Sequence, residues 1–97
     1  MIQFSGNEYP IRSGNSYLVP ARRMADVVHA SLERTADGKR MWIRLFGDEA
    51  MYDKNARWFR LNGKDRNLPH AARERDGVYF VPIEIFRDLT RGAVRWR

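Results

Sequence analysis

The sequence predicts an α+β domain: a mainly antiparallel sheet of hairpins packed with two short helices, arranged as a pseudo-two-fold internal repeat. Three observations predict it. The segment Tyr17-Leu18-Val19-Pro20 returns as Tyr79-Phe80-Val81-Pro82, an offset of about 62 residues. With that offset Met24 falls on Phe86, Val27 on Leu89, Asp26 on Asp88 and Leu32 on Val94, so apolar meets apolar. Each copy follows a turn signal, Gly14-Asn15 in the first and Asp76-Gly77 in the second, and between the copies apolar residues alternate at strand spacing between hairpin turns.

Taken in order, Ile2–Phe4, Ser5-Gly6-Asn7 and Tyr9–Ile11 read as a weak N-terminal hairpin. Tyr17–Pro20 is a β-rich run halted by a proline, whose missing N–H suits the first turn of a helix. Beyond it Met24, Val27 and Val28 recur at helical spacing, while Arg22, Arg23, Asp26 and His29 point elsewhere. The turn Ala36-Asp37-Gly38-Lys39 joins Leu32–Thr35 to Arg40–Phe46, where Met41, Ile43 and Leu45 alternate with Trp42, Arg44 and Phe46. Arg57–Leu61 runs into Asn62-Gly63, a strong hairpin signal, and Lys64–Leu68 leaves it. After Pro82, Ile83, Phe86 and Leu89 form an apolar stripe with Glu84, Arg87, Asp88 and Arg91 outward. Helices of about 10 residues are marginal alone, so both need the sheet to cover them. The chain reads as a single domain over 1–97, with copy one at about 1–46 and copy two at about 57–97.

Composition narrows the function. A chain of 97 residues can bury a modest core but not a deep substrate cavity. Hydrophobic residues at 43% and charged residues at 31% favour a folded domain over a disordered one. No apolar run approaches the roughly 20 residues that span a bilayer. Gln3, Ser5, Asn7 and Glu8 break up the N-terminus, which therefore does not read as a signal peptide. Without cysteine there are no disulfides, no thiolate chemistry and no Cys-ligated zinc, which suits either side of a membrane. A net charge of +6 makes polyanions such as nucleic acid, anionic lipid or wall polymer attractive partners.

Reactive constellations are not evident, so no catalytic, metal or cofactor residues are expected and the chain reads as a non-enzyme. The two histidines, His29 and His70, lack metal-ligand spacing and read as solvent-facing. There is no Gly-x-Ser-x-Gly elbow, and Ser5, Ser13, Ser16 and Ser31 look like turn or cap residues. Asp48-Glu49 beside Gly47 reads as a solvated hairpin tip. The aromatic residues carry more information. Trp42, Phe46, Tyr52, Trp58 and Phe59 fall on neighbouring strands with Arg40, Arg44, Arg57 and Arg60 interleaved. If Met41, Ile43 and Leu45 face the helices, Trp42, Arg44 and Phe46 share the other face, which would be aromatic and cationic. The candidate partner-binding residues are Trp42, Arg44, Trp58 and Arg60. Such a face suits stacked bases or sugars; the alternative is that other strands, a second chain or a parent protein cover it.

A family resemblance follows from these motifs. Asn62-Gly63-Lys64, Asp76-Gly77-Val78-Tyr79-Phe80-Val81-Pro82 and a short helix closing on Val94-Arg95-Trp96 resemble the repeat of the copper amine oxidase N-terminal-like domain, or stalk domain. The first copy, Gly14-Asn15-Ser16-Tyr17-Leu18-Val19-Pro20-Ala21-Arg22, is similar to that family's Val-Pro-x-Arg signature. The family usually has glycine where each helix ends; this chain has His29 and Arg91, with Gly92 one residue late, which implies a different or strained exit turn. Glu84 replaces the second arginine, and Arg34 stands where a strand tryptophan would be. The resemblance implies a sheet folded around helices and an appendage of larger bacterial proteins in an extracellular or cell-envelope setting. It also implies a non-catalytic interaction or spacer module that contacts a partner protein or anionic wall polymer. Copper and quinone chemistry belongs to a different domain of the oxidases. The rival expectation is a small basic nucleic-acid-binding protein using the same aromatic and arginine face, and self-association into a homo-oligomer is compatible with either.

Overall fold

The computed structural model describes residues 6–93. After a 3-10 turn at Gly6–Glu8 come β1 (Ile11–Ser13), β2 (Ser16–Pro20), α1 (Ala21–Val28), β3 (Ser31–Arg34), β4 (Arg40–Leu45) and β5 (Asp48–Asp53). They are followed by β6 (Trp58–Leu61), β7 (Lys64–Asn67), β8 (Arg73–Arg75), β9 (Val78–Pro82) and α2 (Ile83–Leu89). Among the described residues the strands form two antiparallel sheets, a four-stranded one in the order β1-β2-β9-β8 and a five-stranded meander from β3 to β7. The architecture is α+β and mostly sheet, as the sequence predicts.

The two Tyr-x-Val-Pro segments meet at the centre of the smaller sheet. There β2 and β9 run antiparallel with Leu18 opposite Pro82, Val19 opposite Val81 and Pro20 opposite Phe80. Each strand ends at its proline, which has extended backbone angles and occupies the N-cap of the helix that follows. Proline supplies no ladder donor, so the strand stops and the helix begins where its lost N–H matters least. Both helices contact both sheets: α1 packs on β2 and β9 of the smaller and β3 of the larger, and α2 on β2 and β9 of the smaller and β5 and β6 of the larger. The core gathers Val19 and Val81, Met24 and Ala25 of α1, Ile85, Phe86 and Leu89 of α2, and Met41, Ile43, Tyr52 and Phe59 from the larger sheet. Truncating a fully buried ring such as Phe86 to alanine costs about 3–5 kcal/mol in a core of this kind.

Several local expectations need correction. On α1 the buried stripe is Ala21, Met24 and Ala25, which stand at i, i+3 and i+4 on one face of the helix, with Val27 and Val28 only partly covered. Glu84 is half-buried rather than outward, and one of its carboxylate oxygens accepts a hydrogen bond from the Ser16 hydroxyl. Tyr9 and Pro10 are outside any strand; β1 is Ile11–Ser13 and pairs with β2 through Gly14-Asn15, so its partner lies downstream. The Ile2–Phe4 and Val94–Trp96 expectations lie outside the described residues. Asp48-Glu49 is no hairpin tip but the start of β5; the turn is Phe46-Gly47, and β8 had no sequence signal. The edge strands β7 and β8 are exposed along their length and carry Lys64, Asp65, Arg66, Arg73, Glu74 and Arg75, a charge pattern that discourages pairing with a foreign strand.

Candidate functional site

Strand alternation and register build one continuous outer face on the five-stranded sheet. Met41, Ile43 and Leu45 point into the core, which turns Arg40, Trp42 and Arg44 outward. Across the strands Glu33 lies opposite Trp42, Trp42 opposite Met51, Met51 opposite Arg60 and Arg60 opposite Asp65. One row of side chains thus crosses all of β3 to β7. Trp58 sits two residues from Arg60 on the same side of β6. All four sequence candidates, Trp42, Arg44, Trp58 and Arg60, share this face. Phe46 does not belong to it: it lies past the end of β4 at the turn, 96% exposed. Tyr52 and Phe59 point the other way, into the core.

The face is not the cationic surface that its arginines suggest. Arg40 donates to both carboxylate oxygens of Asp53, from Nε at 2.6 Å and Nη2 at 3.1 Å. Arg44 pairs with Glu49 at 2.6 Å and Glu33 at 3.2 Å. Arg60 pairs with Asp65 at 2.7 Å, its guanidinium carbon 5.7 Å from the Trp58 ring centroid. Three arginines therefore meet four carboxylates, Glu33, Glu49, Asp53 and Asp65. The hydrogen bond from Arg40 holds the Asp53 carboxyl below its ordinary value, and the carboxylates in turn raise the three guanidiniums. Exposed pairs of this kind add little to stability, so their main effect is to fix side-chain orientation. Between them Trp42 and Trp58 are half-buried, and Met51 fills the space with 8% of its surface exposed.

At one end of the face two turns rise on either side of Trp42. The Lys54 N–H donates to the Lys39 carbonyl at 2.8 Å and ties them together. Between them is an open cleft of about 780 Å³ with Trp42 in its lining, walled by the Arg40–Asp53 pair, Asp37, Lys39 and Asn55. Asp37 accepts from the Thr35 hydroxyl at 2.6 Å and the Lys39 N–H at 2.9 Å, which keep its carboxyl below the ordinary value. Sequence reasoning missed Met51, Asp53 and Asn55. The contiguous Ala50-Met51-Tyr52 run conceals the alternation of β5, since Met51 is covered on the outer face as Ala50 and Tyr52 are on the inner one.

Other features lie apart from this face. A cavity of about 530 Å³ beside Phe46 is lined by Val28, Leu45, Leu89 and Arg91. A smaller one, about 250 Å³, borders Arg22, Arg34, Glu74 and Tyr79. His70 is not solvent-facing at its polar atoms: both ring nitrogens are buried without a hydrogen-bond partner. Asp48 accepts from Asn62 and pairs with Arg91, while Glu49 is taken up by Arg44, so the two acids do not converge. Among the described residues no group of three or more His, Asp or Glu could hold a metal ion, and no helix is long and apolar enough to cross a membrane. Comparison with family models, curated proteins and solved structures gave no match.

Proposed function

We propose that this chain is a non-catalytic binding module that acts as an attachment or spacer unit and contacts its partner through the outer face around Trp42 and Trp58. The observation that carries the reading is the pair of half-buried indoles flanking Met51, held among arginines that are each locked to a carboxylate. A face fixed in this way is pre-organised for contact, since little side-chain freedom remains to be lost on binding. Its balanced charge favours a partner of low net charge. The resemblance to the copper amine oxidase N-terminal-like domain supports the attachment role and a cell-envelope setting.

The test is co-sedimentation with bacterial wall sacculi, before and after removal of their anionic polymers, and binding to a single-stranded oligonucleotide, each from low to high salt. Retention on stripped sacculi at high salt, lost in Trp42→Ala and Trp58→Ala, is the expected result. The net charge of +6 favours a second reading, nucleic-acid binding. That reading predicts oligonucleotide binding that falls steeply with salt as counterions are released. If Trp42→Ala abolishes oligonucleotide binding and leaves sacculi untouched, the second reading replaces the first.

A further inference from the structure

We infer that the cleft at Trp42 is a saccharide subsite, in which the apolar C–H face of a pyranose ring stacks on the indole while its hydroxyls meet the surrounding planar side chains. The inference rests on the reading that the outer face is the binding surface, and it names the ligand class. Charge decides first. The lining sets Lys39, Arg40 and Lys54 against Asp37 and Asp53, so the charges nearly balance. An anion reaching the lysines also meets both carboxylates, and it could engage Arg40 only by displacing a carboxylate bonded to it twice. A cation meets Arg40, Lys39 and Lys54 instead. The site therefore suits a neutral ligand rich in hydrogen-bonding groups.

Polarity decides next. A protein hot spot needs a dry, apolar centre around its anchor. Met51 borders Trp42 on the side of β5 and is largely covered, whereas on the cleft side the bordering groups are carboxylate, guanidinium, ammonium, amide and the Thr35 hydroxyl. These groups supply donors and acceptors together, and the bidentate Arg40–Asp53 pair presents them in one fixed plane. A ligand that offers both an apolar face and a ring of hydroxyls is a sugar.

Spacing extends the site beyond one ring. Trp42 and Trp58 are separated by β5 and by two residues along the strand, given that Trp42 faces Met51 and Met51 faces Arg60. Strand spacings of about 4.8 Å and a rise of about 3.4 Å per residue place their Cα atoms about 12 Å apart. A linear oligosaccharide can stack on both indoles, whereas a monosaccharide reaches one.

The experiment is titration of the isotope-labelled protein with cellohexaose and chitohexaose, followed at the Trp42 and Trp58 indole N–H groups and the Lys39 and Asn55 amides. A stem tetrapeptide and a single-stranded oligonucleotide serve as comparison probes. Saturable shifts at the cleft with one of the hexasaccharides, unchanged by salt, are expected. Trp42→Ala should weaken binding more than 10-fold and Asn55→Ala several-fold. Trp58→Ala should weaken hexasaccharide binding several-fold and leave disaccharide binding unchanged. Trp42 is outside the core cluster, so its variant is expected to keep the wild-type spectrum elsewhere. Absence of shifts with both hexasaccharides, or shifts that survive Trp42→Ala, overturns the inference. If the tetrapeptide or stripped sacculi then still engage Trp42 and Trp58, the broader reading stands; if nothing engages the face, both fall.

Discussion

Val19 lies directly opposite Val81 in the ladder between β2 and β9, and the two occupy the same position of the two Tyr-x-Val-Pro segments. A local two-fold relation follows from that register. Leu18 faces Pro82 and Pro20 faces Phe80, so each proline, and the helix it opens, emerges at the opposite end of the paired strands. The relation reaches the far ends of the helices. His29 has φ 62° and Arg91 φ 55°, both left-handed, and each is followed by a residue whose N–H bonds five residues back, Ala30 to Ala25 at 2.8 Å and Gly92 to Arg87 at 2.7 Å. These are Schellman motifs closed on side-chain-bearing residues.

A left-handed backbone costs a non-glycine residue about 1–2 kcal/mol, of which glycine's greater freedom in the unfolded chain returns part. His29→Gly is therefore expected to stabilise the domain by about 0.5–1 kcal/mol. Arg91→Gly should gain less, because it also removes an exposed pair with Asp48 at 3.2 Å. Urea unfolding reads the result as a raised midpoint at unchanged slope; a lowered midpoint for His29→Gly contradicts the account.

The turn between β4 and β5 carries the same kind of misfit. Leu45 pairs with Asp48, leaving Phe46 and Gly47 as a two-residue loop with φ of 52° and 99°. Positive φ at both central positions belongs to the type I′ turn, which favours Asn-Gly, the pair found at Asn62-Gly63. Phe46→Asn should raise stability by about 0.5–1 kcal/mol, since it relieves the left-handed backbone of a bulky residue whose almost fully exposed ring adds little packing. Saccharide binding at Trp42 should be unaffected. A fall in thermal midpoint would show that Phe46 is held by contacts that this turn geometry does not reveal.

The Tyr52 hydroxyl bridges two loops, donating to the Ala56 carbonyl at 2.7 Å and accepting from the Ala72 N–H at 2.8 Å. Its loss leaves backbone groups without partners in a part-buried position. Tyr52→Phe is expected to cost about 1–3 kcal/mol. Hydrogen exchange checks the cause: the Ala72 amide should exchange faster in the variant, and equal rates would remove the hydroxyl from the explanation.

Much of this was legible in the chain. The two proline-halted strands, the helices they open and the hairpin at Asn62-Gly63 follow from local chemistry that no tertiary contact overrides. Alternation along β4 is enough to put Trp42 and Arg44 on one face, whereas joining Trp58 and Arg60 to it takes the register of β4, β5 and β6. Charge was harder to read. Asp53, Glu49 and Asp65 neutralise the arginines from neighbouring strands, and that pairing depends on register, which the order of residues along one strand does not contain. The turn at Phe46-Gly47 was hidden because a bulky aromatic residue is a poor turn former, so the run into Asp48-Glu49 suggested a polar tip one step too late.

Alkaline pH should expose the packing between the sheets. Burial pushes the Tyr79 phenol up to about 12, with the neighbouring Tyr52 and Glu74 acting in the same direction and the Arg34 guanidinium, 4.8 Å from its ring centroid, acting against them. Tyr52 is raised as well, first by its burial. In the unfolded chain both phenols ionise near the ordinary value of 10.0. The folded state therefore holds more protons than the unfolded state above that pH, and stability declines as pH rises from about 10 toward 12. Tyr79→Phe removes one of these protons from the balance, so its loss of stability over that interval should be shallower than that of the wild type. Parallel slopes for the two proteins in thermal unfolding at stepped pH, or phenolate absorbance for Tyr79 at its unfolded value, would place the phenol in water and not against the core.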